Sequence, residues 1–269
     1  MVDSFSQLYF TINLEEIFYF NNKKCRIYAA FGVSQTPTNL IYAKENCNIP
    51  VVAMVRPRAG GFCYSDEEYD TMLMDAKILL EHGADGIAFG FLTEEKMLDK
   101  KRTKEMIELI HKYGREAVFH RAFDCIDNQD SAAEKLIRLG ADRILTSGGA
   151  VNVWDGRKQL KHLQNQYGKD ITILAGSGVN DTNARALIEY TRITQVHSSC
   201  GSWKCDVTAA GNAVDFSYDE AMKNCYQCAD AGKVRKLAEE VSGEDSSMLG
   251  TEGTADYLVD AVKRRFGLE

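Results

Sequence analysis

From Ile49 onward, short apolar runs alternate with stretches whose apolar residues recur every three or four positions. Ile49 to Val55 reads as a buried strand that stops at the polar cluster Arg56, Pro57 and Arg58. Ser65 and Glu68 have the spacing of a capping box. The helix they open places Tyr69, Met72, Leu73, Ala76, Leu79 and Leu80 on one face until Gly83 ends it. Further strands are expected at Gly86 to Phe89, Ala117 to His120, Arg143 to Thr146, Ile171 to Ala175 and Thr194 to His197. Between them lie a helix with Met106, Ile107, Ile110 and Tyr113 on one face, and a second one carrying Ala133, Leu136 and Ile137. Ser131 and Glu134 form a second expected capping box for the latter. Two more helical stretches run from about Asp155 to Gln166 and from Asp181 to Tyr190. Gly83-Ala84-Asp85 and Gly140-Ala141-Asp142 are the same tripeptide in the same place, between a helix and the next strand.

Strands spaced roughly 22 to 34 residues apart with helices between them call for right-handed crossovers and a parallel sheet. Six strands are clear, and Leu8 to Ile12 and Arg26 to Ala30 are the best candidates for two more. The set then fits a single α/β domain over residues 1–269, a (β/α)8 TIM barrel. An open doubly wound sheet is the alternative, but no strand is followed by G-x-G-x-x-G. After Ser198 the pattern gives way to a Gly- and Cys-containing segment reaching about residue 229. Helical stretches at Lys233 to Val241 and Thr254 to Phe266, split by the polar run Ser242 to Ser247, then supply the last barrel helix and a C-terminal helical appendage.

Composition narrows the function. The chain has 269 residues, 45% hydrophobic and 26% charged with only three prolines, which is the balance of a folded globular domain rather than a disordered one. Lys plus Arg is 32 against 39 Asp plus Glu, a net charge of -7, so no general basic field exists to hold a nucleic acid. No apolar run approaches the ~20 residues that span a bilayer. Asp3, Glu15 and Glu16 argue against a secretory leader, so the expected location is cytoplasmic, with no membrane partner and with reduced thiols.

In a parallel barrel the C-terminal strand ends share one rim, and that rim carries the chemistry. It collects Arg56 and Arg58, then His120, Arg121 and Asp124, then Ser147 and Gly148, then Gly176 and Gly178, and finally His197. Guanidinium forks bind oxyanions in pairs of hydrogen bonds, and glycine loops bring backbone N–H groups close to them. Arg56, Arg58, Arg121, Ser147, Gly148, Gly176, Gly178 and His197 are therefore the expected ligand-binding set for a small anion. His120 is the candidate general acid and base, with Asp124 orienting its imidazole. No strand ends in a lysine for a Schiff base, and no pair of carboxylates gathers at the strand ends. Cys225 and Cys228 form a C-x-x-C downstream of Cys200 and Cys205. The wider spacing of the first pair, and a helical-looking run from Tyr218 through Cys225, argue against a four-thiolate zinc site. Cys63, Cys125 and Cys200 follow strand ends, where soft thiolates suit Cu(I) but buried thiols also serve as small apolar residues.

Met54 to Phe62 (MVRPRAGGF), Gly83-Ala84-Asp85-Gly86, Phe119-His120-Arg121-Ala122-Phe123-Asp124, Arg143 to Gly148 and Ala175 to Val179 together resemble the CutC copper homeostasis family, in order, from about residue 49 to 200. The resemblance implies a cytoplasmic TIM barrel, often a homo-oligomer, with a connection to copper and no secure reaction. Family members carry Glu and Cys in the first two strands. Here the second strand reads Cys25-Arg26-Ile27-Tyr28-Ala29-Ala30, so the usual copper-ligand cysteines are not found, and no metal ligand is assigned. The atypical first 48 residues point to divergence or a shifted reading frame, and strands so altered are expected to close a barrel poorly. Two readings stand: a copper-associated binding protein with Cu(I) or a small anionic ligand at the barrel mouth, and an enzyme acting on a small phosphorylated or carboxylated metabolite.

Overall fold

The computed structural model describes residues 7–12 and 25–29 as backbone, and residues 36–46, 49–217 and 221–242. Eight strands form a closed ring in chain order: β1 (Gln7–Ile12), β2 (Cys25–Ala29), β3 (Val51–Met54), β4 (Gly86–Phe89), β5 (Glu116–Phe119), β6 (Arg143–Thr146), β7 (Thr172–Gly176) and β8 (Gln195–Ser198). Every neighbouring pair is parallel. The first two strands, expected to fit poorly, do complete the ring. β1 runs in register with β2 from Leu8↔Cys25 to Ile12↔Ala29, β2 meets β3 through Ile27↔Val51 and Tyr28↔Val52, and β1 meets β8 from Gln7↔Gln195 to Phe10↔Ser198. The helices are α1 (Pro37–Asn46), α2 (Asp66–Glu81), α3 (Lys100–Lys112), α4 (Gln129–Leu139), α5 (Arg157–Tyr167), α6 (Ala184–Thr191) and α7 (Ala231–Ser242).

Strand alternation builds two apolar layers. Val52, Ala88, Val118, Leu145 and Leu174 fill the ring, with Met54 packed against them. Their neighbours Val51, Ala53, Ile87, Phe89, Phe119, Ile144, Ile173 and Ala175 point outward beneath the helices. One step toward the strand N-termini from Val118 and Leu145, on the same face, Glu116 accepts from Arg143 Nη2 at 2.7 Å. This ion pair belongs to the end of the barrel opposite the rim.

The repeated Gly-Ala-Asp is a structural device used twice. Asp85 N–H donates to Val51 O while Asp85 Oδ2 accepts from Val51 N. Asp142 N–H donates to Ala117 O while Asp142 Oδ2 accepts from Ala117 N. Each aspartate thus closes a two-bond ring onto the start of the preceding strand, where the ladder would otherwise leave an unpaired N–H. Lys44 and Arg115 neutralise Asp85, and His111 donates to or shares a proton with Asp142 at 2.9 Å.

Ser65 and Glu68 form the reciprocal capping box at the start of α2. The second expected box does not form. Asn128 caps α4, its Oδ1 accepting from Ser131 N at 2.9 Å, because the chain turns helical at Gln129 and leaves Ser131 inside the first turn. The segment after β8 also differs from expectation. It contains β9 (Gly201–Cys205), the short hairpin β10 (Ala210–Gly211) and β11 (Val214–Asp215), and β12 (Cys225–Ala229), which pairs antiparallel with β9. The helical-looking run through Cys225 becomes a strand because β9 offers it an edge, and pairing outweighs local preference. The stretch Thr254 to Phe266 and most of the polar run before it lie outside the described residues.

Candidate functional site

The named site residues lie at or just after C-terminal strand ends, but several of them are engaged in building the rim itself. After β3, Arg56 Nη2 donates to Gly60 O at 2.6 Å and the guanidinium lies 4.8 Å from the centre of the Phe62 ring. The centre of the Phe62 ring in turn lies 5.1 Å from that of His120 at a tilt of 56°, so Phe62 contacts both the Arg56 guanidinium and the imidazole. Arg58 is used differently. It grips both carboxylate oxygens of Glu68, donates to Cys63 O at 3.0 Å and lies over Tyr64. Its charge is spent tying the loop to α2, which removes it from the expected ligand set.

His120 is 3% exposed. Its Nδ1 accepts from Ala122 N–H at 3.1 Å, at the start of a 3₁₀ turn (Arg121–Cys125), so the neutral ring carries its proton on Nε2. That Nε2 is buried and has no hydrogen-bond partner among the described residues. Burial first, and the nearby Arg56 charge second, lower its pKa to about 3. Glycine at position 90 makes room for the ring, since a Cβ there would stand 2.6 Å from Nδ1 and Cε1. Neither Gly90 nor Phe62 belonged to the expected set. Their one sequence signal was position, immediately after a strand in the first case and after a Gly-Gly pair in the second.

Asp124 does not orient His120. Its carboxylate accepts from Arg121 Nε (2.7 Å), Ser147 N (3.0 Å), Ser147 Oγ (3.0 Å), Gly149 N (3.1 Å) and the Thr146 hydroxyl. Gly148 N–H donates to Thr146 Oγ1 at 2.9 Å. The Ser147-Gly148-Gly149 loop is thus a nest of N–H donors, as the glycines suggested, but it is wrapped around an internal carboxylate. Ser147 accordingly holds Asp124, and the Gly148 N–H is taken by the Thr146 hydroxyl, so neither presents its donors to a ligand. Gly148 has φ +77°, and a Cβ there would meet Gly156 O at 2.5 Å, so the tight loop requires glycine. Arg121 keeps 42% of its side chain exposed after donating to Asp124 and to Ser147 Oγ.

On the far side of the rim, Gly176 stands beside His197 in the β7–β8 register. His197 is half-buried, and burial followed by the Arg121 charge lowers its pKa to about 4. Ser177 sits at φ +98°, an uncommon conformation for a residue with a side chain. It is held there by its Oγ donating to Val151 O at 2.8 Å and its carbonyl accepting from Val153 N at 3.0 Å. These bonds lace the loops after β6 and β7 together. The Gly178 carbonyl accepts from Asn183 Nδ2 at 2.8 Å, fixing the path toward α6. The rim therefore presents two guanidinium–imidazole pairs, Arg56 with His120 and Arg121 with His197, in which both imidazoles are neutral at pH 7.

Comparison with known proteins decides the lineage. A profile of the CutC family matches residues 23–202. The chain belongs to the CutC family. A CutC family protein of Treponema denticola is 39% identical over 166 residues, covering 62% of this chain and 67% of its own length. One from Glaesserella parasuis is 31% identical over 218 residues, 81% of this chain and 88% of its own. A CutC crystal structure from Streptococcus agalactiae, named for copper homeostasis, superposes with a TM-score of 0.67 at 26% identity over 71% of this chain and 97% of its own. The CutC match begins at residue 23 and so takes in β2, ahead of the motifs that start near residue 49.

The copper connection of the CutC name was tested against the donors present. Among the described residues, no three His, Cys, Asp or Glu side chains gather where they would hold a metal ion. Cys63 and Cys125 are exposed, whereas Cys200 is buried, with its thiol donating toward Ser198 Oγ and its pKa raised to about 11 by burial. A thiol so disposed is a poor source of thiolate. Among the described residues of this CutC chain, the rim therefore brings together no set of thiolates or other ligating side chains for a copper ion. Among the described residues, no helix is long and apolar enough to cross a membrane.

Proposed function

We propose that the barrel mouth binds a small oxyanion, the phosphate or carboxylate of a metabolite, between the Arg56–His120 and Arg121–His197 pairs. The observation that carries this reading is the buried Nε2–H of His120, a donor with no acceptor among the described residues and with a guanidinium beside it. An unmet buried donor costs roughly 1 to 3 kcal/mol, and a ligand oxygen recovers that cost. A role for His120 as acid and base near neutrality is not supported, because its pKa lies near 3 and Asp124 is engaged elsewhere. As a neutral donor it would hold and polarise an oxygen rather than exchange a proton with it.

The test is a thermal-shift series with inorganic phosphate, glycerol phosphate, chloride at matched ionic strength, and Cu(I) under reducing conditions. At a phosphate concentration about 100 times Kd, binding adds about 2.7 kcal/mol, which for a domain of this size is a rise in Tm of about 5 to 10 °C. The rise is expected in the native chain, absent with chloride, and lost in Arg56→Ala. A Cu(I) response, if present, is expected to be the same in both proteins, because the mouth supplies it no thiolate. No phosphate response in the native chain, or one that survives Arg56→Ala, would overturn the reading.

A further inference from the structure

Cys205 ends β9 and Cys225 opens β12, and the antiparallel register sets them directly opposite each other. The surrounding hydrogen bonds identify the kind of pair. Asp206 N–H donates to Asn224 O at 2.6 Å, and Cys225 N–H donates to Met222 O at 3.2 Å, so the backbone bonds lie outside the pair rather than between its members. This is the non-hydrogen-bonded position, where facing Cα atoms approach to about 4.5 Å and the side chains are closest. A disulfide spans Cα separations of about 4.4 to 6.8 Å, so the backbone is already within its reach. Both are free thiols, and neither is joined to another cysteine. Cys205 is exposed and Cys225 buried, which gives one sulfur that meets solutes and one that waits behind it. The other nearby thiols are not so placed. Cys228 faces Ser202 across the strands, and Cys200 is directed at Ser198.

We infer that Cys205 and Cys225 are an oxidisable dithiol, closed to a disulfide by a small disulfide such as oxidised glutathione and reopened by the corresponding thiol. The Cys205 thiolate attacks one sulfur of the oxidant, whose S–S bond breaks, and a glutathione thiolate leaves. Cys225, having lost its proton, then attacks the Cys205 sulfur of the mixed disulfide and expels the second glutathione. Two protein S–H bonds give one S–S bond, and the oxidant takes up two electrons and two protons to become two thiols. The bond would clip the excursion between residues 206 and 224 at its base. That excursion lies between β8 and α7, and α7 is docked on α6 by Arg185 Nε and Glu240 Oε1 at 2.7 Å and packs against β1. Oxidation would therefore fix the route by which the chain returns from the barrel to its last described helix.

The full chain, equilibrated in glutathione buffers from fully reduced to fully oxidised, alkylated and weighed, provides the test. Native protein and Cys228→Ser are expected to lose two alkyl groups in one transition, because two thiols become a disulfide and escape alkylation, with a cross-linked peptide joining residues 205 and 225. Cys205→Ser and Cys225→Ser are expected to lose none. After proteolytic cleavage within 206–224, the oxidised protein should stay in one piece until reduced. A native chain that forms no disulfide across the range, or one whose linked peptide joins Cys225 to Cys228 or uses Cys63, would overturn the inference. So would a Cys205→Ser variant that oxidises as the native chain does.

Discussion

Replacing Asp124 with alanine is expected to cost about 3 to 5 kcal/mol of stability, the loss typical of removing one partner of a buried charged network. The carboxylate is 8% exposed and accepts from Arg121, Thr146, the N–H and hydroxyl of Ser147, and Gly149. Alanine leaves these donors facing a small void and a guanidinium without its counter-charge, while the loop at Gly148 is already folded tightly on itself. Asparagine in its place would fare better, but its amide NH2 would point at least one donor toward others, so Asp124→Asn should lose about half as much. Urea unfolding of the three proteins at pH 7 measures this. A loss below about 1 kcal/mol in Asp124→Ala would mean that the rim does not depend on its internal anion.

Acid is expected to destabilise the protein through its two neutral histidines. Unfolded histidine takes up a proton near pH 6.5, whereas folded His120 and His197 do so only at about 3 and about 4. Between these values the unfolded chain binds more protons, so stability is complete above about pH 6.5 and falls as the pH drops below it. From pH 7 to pH 5, His120 alone should remove about 2 kcal/mol, and the half-buried His197 somewhat less. Carboxylates and other ion pairs titrate too, so the informative quantity is a difference. His120→Gln should lose about 2 kcal/mol less than the native chain over the same interval. Equal losses in the two proteins would show that His120 is not held neutral by the fold.

The barrel was legible because short continuous apolar strands and glycine-ended helices leave little freedom, and six strands could be placed within a residue or two of where they form. The Gly-Ala-Asp repeat was visible as a pattern, but its purpose, an aspartate closing onto the preceding strand, depends on a neighbour some 25 to 34 residues away. The site was half legible for the same reason. Strand-end position places the arginines, histidines and glycines at one end of the barrel, yet position carries no information about pairing. Arg58 lies ten residues before Glu68, and only the turn of the loop onto α2 brings them together. The glycine loop at 147–149 carried the signature of an anion cradle, and it is one, but the anion is Asp124 from the neighbouring strand end. β12 was misread because a strand formed at an available edge leaves little trace in its own residues.

The most direct test of the mouth as an anion site is a long-range proton–nitrogen NMR spectrum of the 15N-labelled protein at pH 7, with His120 assigned through His120→Gln, recorded as inorganic phosphate is added. The predicted result is a neutral ring protonated on Nε2, whose Nε2 and attached proton shift on addition of phosphate and stop shifting when the site is full, and which does not respond in Arg56→Ala. A ring protonated on Nδ1, or an Nε2 resonance that stays still while phosphate binds elsewhere on the protein, would contradict the account.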